Sequence, residues 1–205
     1  MCIRDSTYSE SSSPLPQSLQ ALWHYHQNMY SFHIGLHASH PYRASAWGWL
    51  LQARPTSFFY ESPGGCGAAR CSAAITALGN PIIWWAAALA LLHQAYRAVM
   101  VRDRRSAAVV VGVLAGWVPW LLYPERTTFT FYSVVFLPFL VAGLAMSLGQ
   151  ILGTGPARER HWRIVAVAGY LLMVVLAAWW FYPVWTGQVI PYEAWQTRMW
   201  WPTWV

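Results

Sequence analysis

The sequence predicts an all-α integral membrane protein. Four transmembrane helices, at about 81–101, 107–123, 129–152 and 164–185, follow an outward-facing amphipathic helix and an aromatic-rich loop. Three observations lead there. Of the 205 residues, 57% are hydrophobic and only 10% charged, where an average soluble domain carries about 25% charged residues. Four apolar runs follow one another, each near the roughly 20 residues that a helix needs to cross a bilayer. Tryptophan occurs 15 times, and its ring, apolar with one N–H, favours the membrane–water boundary. Low charge with many aromatics excludes a disordered chain. The runs are read as helices because a lone strand in lipid leaves its backbone groups unpaired. A soluble helical core is the alternative, and four long uncharged runs in succession argue against it.

The chain opens on Met1-Cys2-Ile3-Arg4-Asp5-Ser6, which resembles the translation of a sequencing adaptor. Residues 1–6 are therefore expected to be an artefact, and the chain a fragment of something longer. Residues 7–80 are the expected extracytoplasmic loop, 81–185 the four-helix module and 186–205 an extracytoplasmic tail. A polar head of this length is expected to cross only behind a signal or an earlier span. Within it, Pro14-Leu15-Pro16 suits the first turn of a helix. From there to His37, the residues Leu22, Tyr25, Met29, Phe32 and Leu36 repeat at steps of three and four, forming one apolar seam. His26, Tyr30, His33 and His37 adjoin it as a polar-aromatic stripe. Such a helix suits a membrane surface, with its rings at headgroup depth.

The spans take their orientation from arginine. Arg102, Arg104 and Arg105 follow the first span, and Arg158, Arg160 and Arg163, with Glu159, separate the third from the fourth. Both connections then lie on the cytoplasmic side, and Pro124-Glu125-Arg126 faces outward. Trp84, Trp85, Trp117, Trp120, Trp179, Trp180 and Trp185 fall near the outer ends, and Trp162 marks the inner side. Gly112-x-x-x-Gly116 and Gly143-x-x-x-Ser147 permit close helix approach. Pro119 and Pro138 predict kinks. His93, Gln94 and Arg97 in the inner half of the first span predict hydrogen bonds between helices, with Arg97 reaching toward the surface.

Charge and chemistry narrow the function. All 13 basic side chains are Arg, against 7 acids, for a formal charge of +6. They sit beside apolar runs, which does not point to nucleic acid. Cys66 and Cys71 fall on the outer side, where a disulfide persists; a free pair stays open. Two Cys without an adjacent His are a poor metal site. His33 and His37 have the spacing of a zinc-binding pair, but no Glu lies between them, and no metal is expected. The loop from His40-Pro41-Tyr42 through Arg54-Pro55 to Phe58-Phe59-Tyr60-Glu61 is dense in aromatics. It reads either as an interfacial loop anchored by Trp47 and Trp49, or as a groove for an amphiphilic substrate. In the groove, Arg54 would meet phosphate while rings stack on sugar or lipid.

An ordered series of short motifs carries a resemblance. It comprises Tyr25-His26, Phe32-His33, His40-Pro41-Tyr42, Trp47-x-Trp49, Arg54-Pro55, Phe58-Phe59-Tyr60-Glu61 and Gly65-Cys66-Gly67-Ala68 with Cys71. Leu78-Gly79-Asn80-Pro81, Trp84-Trp85, Tyr123-x-Glu125-Arg126-Thr127-x-Phe129-x-Phe131-Tyr132 and Phe136-x-Pro138-Phe139 continue it. Taken together they resemble the bacterial protein O-mannosyltransferases, over the outward loop and C-terminal four-span module of that family. Where the family places Pro before the first Trp of the W-x-W pair and Ser two residues earlier, this chain has Ala46 and Ala44, which predicts a looser turn.

The resemblance implies a plasma-membrane, multi-pass enzyme. It moves mannose from a polyprenyl-phosphate-mannose donor to Ser or Thr of an exported protein acceptor. Membrane lipid is the other partner, and no cofactor is implied. The family's general base is an acid in the N-terminal half, so no catalytic residue is assigned in this chain. A phosphate leaving group wants cations nearby. Arg54 and Arg126 are the candidates, with His40 and Tyr42 as supporting donors. For Arg126, beside Glu125, a helix-end anchor stays open. The reading from a different class is a non-catalytic membrane scaffold or transporter-like module. A transporter would show internal repeats and polar breaks at mid-membrane, and neither is evident.

Overall fold

The computed structural model describes residues 16–156, 158 and 160–205. The adaptor-like residues 1–6, Pro14, Leu15 and Glu159 lie outside the described residues. The chain divides into two units, residues 1–37 and 38–205, which are taken separately.

The first unit contains helix α1, Gln17–Ile34. It starts where the Pro16 carbonyl accepts from Leu19 and Gln20 N–H, and ends where Gly35 N–H donates to Ser31 O. Of the apolar seam, Leu22, Tyr25, Met29 and Phe32 are on the helix, and each is exposed. His37 falls beyond the helix end, so the helical i,i+4 geometry expected for His33 and His37 does not form.

The second unit contradicts the purely helical expectation. Strand β1 (Thr56–Glu61) pairs antiparallel with β2 (Cys71–Ala77), and β2 pairs with a short β3 (Ile190–Pro191). Thr-Ser-Phe-Phe-Tyr is β-branched and aromatic, a composition that favours a pleated, half-buried surface. Gly65 and Gly67 supply positive φ, 95° and 77°, for the connection. Strand β2 is mostly small: Ser72, Ala73 and Ala74 are buried. Short side chains let a helix lie close to it, which explains how an Ala-rich strand escapes propensity rules.

Helix α2 (Pro81–Met100) begins as the sequence predicts. Asn80 caps it by accepting from Ile82 and Ile83 N–H at 3.0 and 3.3 Å, with proline at the first position. Asn80 Nδ2 also donates to Val174 O at 2.9 Å, tying this start to the last long helix. Helix α3 (Arg104–Leu121) is capped by Asp103, which accepts from Arg105 and Ser106 N–H.

The third predicted helix, 129–152, is broken. Residues 130–135 form a 3-10 turn and α4 runs from Leu137 to Leu152. Pro138 lacks an N–H and its ring would clash one turn back, so a helix can start at this proline but not run through it. Helix α5 (His161–Thr186) is longer than predicted and ends at Gly187, φ 70°. It is long and apolar enough to cross a membrane by length and composition, and α4 is a shorter apolar helix.

Helices α2, α3 and α4 pack through small residues. A Cβ on Gly112 would overlap the Phe139 ring, and one on Gly116 would lie 2.9 Å from Phe136 Cβ. Gly143 meets Val109, where a Cβ would lie 3.0 Å from a methyl. In the later half of α2, fully buried Gln94 donates to Ser147 Oγ at 2.8 Å and accepts from Ser106 Oγ at 2.7 Å. Ser147 gives its own proton to Gly143 O. His93 Nδ1, 3.0 Å from the same Ser147 oxygen, must therefore be the donor of that bond.

The tail, which the sequence left without structure, folds back. It forms the short helix α6 (Tyr192–Gln196) and a 3-10 turn at Pro202–Trp204. Trp195 and Trp204 are buried with Phe181, Val184, Ala74 and Leu78.

Candidate functional site

The segment 38–55 is held by tryptophan. Five indole N–H groups donate to its carbonyls or from within it. Trp49 donates to Ala44, Trp84 to Trp49, Trp85 to Leu51, Trp117 to Ala46 and Trp204 to Gln52, at 2.8–3.3 Å. Trp49 itself is fully buried against Trp120, Tyr132 and Phe136. This revises the belt expected of the span-end tryptophans. Trp84 is 6% exposed while Trp179 is 74% exposed, so only part of the set faces outward from the protein. An indole needs one acceptor when buried, and here the acceptor is the loop.

Threonines complete the frame. Thr128 Oγ1 donates to Ala44 O at 2.7 Å, and Ala44 N–H donates to Thr128 O at 2.8 Å. Thr127 Oγ1 bonds Ala38 O, Thr130 Oγ1 bonds Arg54 O, and Thr203 Oγ1 bonds Ala53 O. The looser turn expected from Ala44 and Ala46 is not found. Both are buried, and Gln52 closes the turn in the left-handed region at φ 53°. Two alanines fit beneath the tryptophans, and the bonds to the carbonyls of Ala44 and Ala46 fix the path there without help from these two side chains.

The sequence-derived residues fall into two places. His40, Tyr42 and Arg54 come together. Tyr42 N–H donates to His40 Nδ1 at 3.1 Å, and the Arg54 guanidinium lies 5.6 Å from the Tyr42 ring centre. Arg54 donates through Nε and Nη2 to Pro41 O, at 2.9 and 2.7 Å, and through Nη1 to Thr203 O at 3.1 Å. A guanidinium has five N–H groups, so two remain. No carboxylate neutralises Arg54 among the described residues. Arg126 rests on a separate support, 4.9 Å over the Trp120 ring. Arg43, which the sequence did not single out, ties the two stretches by donating to Pro124 O at 2.8 Å.

Cys66 and Cys71 are joined by a disulfide, with Cα atoms 5.9 Å apart. It closes the loop that leads into β2 and contains Arg70, whose guanidinium sits 4.1 Å over the Tyr192 ring. In the tail, Arg198 donates to Trp180 O at 2.8 Å and to Ala194 O, and burial pushes its guanidinium below its ordinary pKa.

Beside Tyr42 opens a cavity of about 280 Å³, walled by β1, β2 and the tail. Tyr60, Tyr192, Trp195 and Trp204 line it with Tyr42. Sequence reasoning missed this wall because the tail lies more than 100 residues from β1. The only signal was the aromatic density of 192–204. No group of three or more His, Cys, Asp or Glu that could hold a metal occurs among the described residues.

A family model described as the C-terminal four TMM region of protein-O-mannosyltransferase matches residues 18–204. A polyprenol-phosphate-mannose–protein mannosyltransferase of Mycobacterium tuberculosis is 37% identical over 200 residues, covering 93% of this chain and 38% of that protein. Proteins of the same name from Mycolicibacterium smegmatis and Corynebacterium glutamicum are 35% and 30% identical, over 95% and 98% of this chain and 39% and 40% of theirs. The chain thus spans about two fifths of the length of these relatives. Among solved structures, the Saccharomyces cerevisiae protein O-mannosyltransferase Pmt1–Pmt2 complex bound to the sugar donor is similar in fold. Its TM-score is 0.68 at 19% identity, over 98% of this chain and 28% of that chain.

Proposed function

The chain belongs to the protein O-mannosyltransferase family, as its C-terminal four-span region, and we propose that it forms the substrate-holding part of an enzyme that mannosylates exported proteins. The donor is polyprenyl-phosphate-mannose and the acceptor a Ser or Thr hydroxyl. This chain binds and positions; the base that deprotonates the acceptor is not assigned to it. The observation that carries the reading is the uncompensated Arg54 charge, with two N–H groups left, beside Tyr42, whose other surroundings are an aromatic cavity. A phosphate leaving group gains from such a cation as negative charge develops. Arg126 is the second cation, with His40 and Tyr42 as supporting donors.

Helices α2 to α5 are the four spans in this reading, and the loop 38–80 and the tail lie on the extracytoplasmic side of the plasma membrane. The arginines at 102, 104, 105, 158, 160 and 163 support that orientation through the positive-inside rule. The disulfide supports it through the redox state of the outer compartment.

The test is kinetic. In a full-length relative, Ala at the positions matching Arg54 and Arg126 should raise the KM for the polyprenyl donor and leave the acceptor KM in place. Unchanged donor kinetics at both positions rejects the site. Thiol labelling of intact cells should modify neither Cys66 nor Cys71 until a reductant is added, and ready labelling rejects a paired state.

A further inference from the structure

The cavity beside Tyr42 has a chemistry of its own. Every side chain lining it is uncharged, and no cation lines it; Val205, which bears the terminal carboxylate of the 205-residue chain, is at its wall. Tyr60 and Tyr192 flank Trp195, with ring centres 5.3 and 5.5 Å from it. The hydroxyls of Tyr42, Thr76 and Tyr192 have no hydrogen-bond partner among the described residues. Trp195 is 7% exposed, and its indole N–H has no acceptor among them. Flat apolar walls with scattered neutral donors and acceptors do not suit a phosphate or an acyl chain. They suit a ligand with C–H faces and a rim of hydroxyls.

We propose that this cavity binds one neutral hexopyranose and, resting on the mannosyl-transfer reading above, that the sugar is mannose. One face of the ring lies on the tyrosine and tryptophan walls. Its hydroxyls reach Thr76, Tyr192 and Tyr42. The sugar is carried either by the donor or by an acceptor that already bears mannose.

The experiment uses the 205-residue chain in lipid nanodiscs, with methyl α-D-mannopyranoside as probe and saturation-transfer NMR as readout. Saturable binding is expected, weakened about tenfold in Thr76→Val and in Tyr192→Phe, each of which removes one hydroxyl and keeps the wall. Absence of saturation overturns the proposal. Equal binding of sorbitol does so too, as does binding unchanged in both variants. Displacement by a mannosylated threonine peptide identifies the acceptor as the source, and displacement by polyprenyl-phosphate-mannose identifies the donor. Displacement by polyprenyl phosphate without the sugar overturns the site. Binding requires no transfer. A donor reading that fails its kinetic test therefore leaves a sugar-binding result standing, and an active enzyme that binds no sugar here loses only this inference.

Discussion

The two ends of the helical group are held by opposite kinds of bond. In the later half of α2, Gln94, Ser106 and Ser147 bond side chain to side chain, with His93 added at the edge. At its start, indoles and threonine hydroxyls bond to main-chain carbonyls of the 38–55 segment. The first arrangement reads residue identity, since changing one member strands the others. The second reads only the path of the backbone. Apart from Trp49, Gln52 and Arg54, whose side chains also hold it, a loop fixed by its carbonyls can change its side chains without losing its course, and such a loop is free to carry a binding site.

The largest effect that would test this contrast is at the loop end. Trp49→Ala removes a fully buried ring and should cost about 3–5 kcal/mol, read as a fall in Tm and loss of protease resistance around residues 44–52. A small cost there would mean that the loop is held by something else. At the other end, Gln94→Met keeps the volume but leaves Ser106 without its acceptor, and should cost about 1–3 kcal/mol. A neutral result would break the claim that this end depends on residue identity. Trp117→Phe keeps one aromatic ring but removes the N–H-bearing half of the indole and with it the donor to Ala46 O, with an expected cost of about 1 kcal/mol for the lost bond. The smallest effect concerns Asp103. The Arg97 guanidinium 3.0 Å away, with the N–H groups of Arg105 and Ser106, holds its carboxyl below the ordinary value of 3.8. A depressed carboxylate stabilises the fold above its unfolded pKa, and that contribution is lost as pH falls through the folded one. Tm should therefore drop more steeply below about pH 3.8 in the parent chain than in Asp103→Asn, which keeps the cap but cannot titrate.

Legibility followed the range of the forces involved. The start of α2 was readable because Asn80-Pro81 acts within one turn. The gap at Phe136 was half readable: Pro138 gave the position, but whether a proline bends a helix or begins one depends on what lies before it. The threonines at 127, 128 and 130 are drawn off to the loop. Strand β2 was unreadable because its alanines have no preference for a strand and owe it to the helix and strands around them. Of the four residues that the resemblance and phosphate chemistry suggested, His40, Tyr42 and Arg54 lie together, being close in sequence, while Arg126 rests apart over Trp120. The cavity walls at Tyr192, Trp195 and Trp204 meet β1 only after the whole bundle has formed, and no local pattern encodes that meeting.

The unequal exposure of the tryptophans has an optical consequence. Trp49 and Trp84 are enclosed and bonded to or through the loop, whereas Trp162 and Trp179 are 79% and 74% exposed on the helix surface. In bilayers made with brominated lipids, the emission of the exposed pair should be quenched while a blue-shifted, unquenched fraction persists from the enclosed pair. Unfolding of the loop would merge the two populations, so the chain carries its own gauge of whether the 38–55 segment is seated.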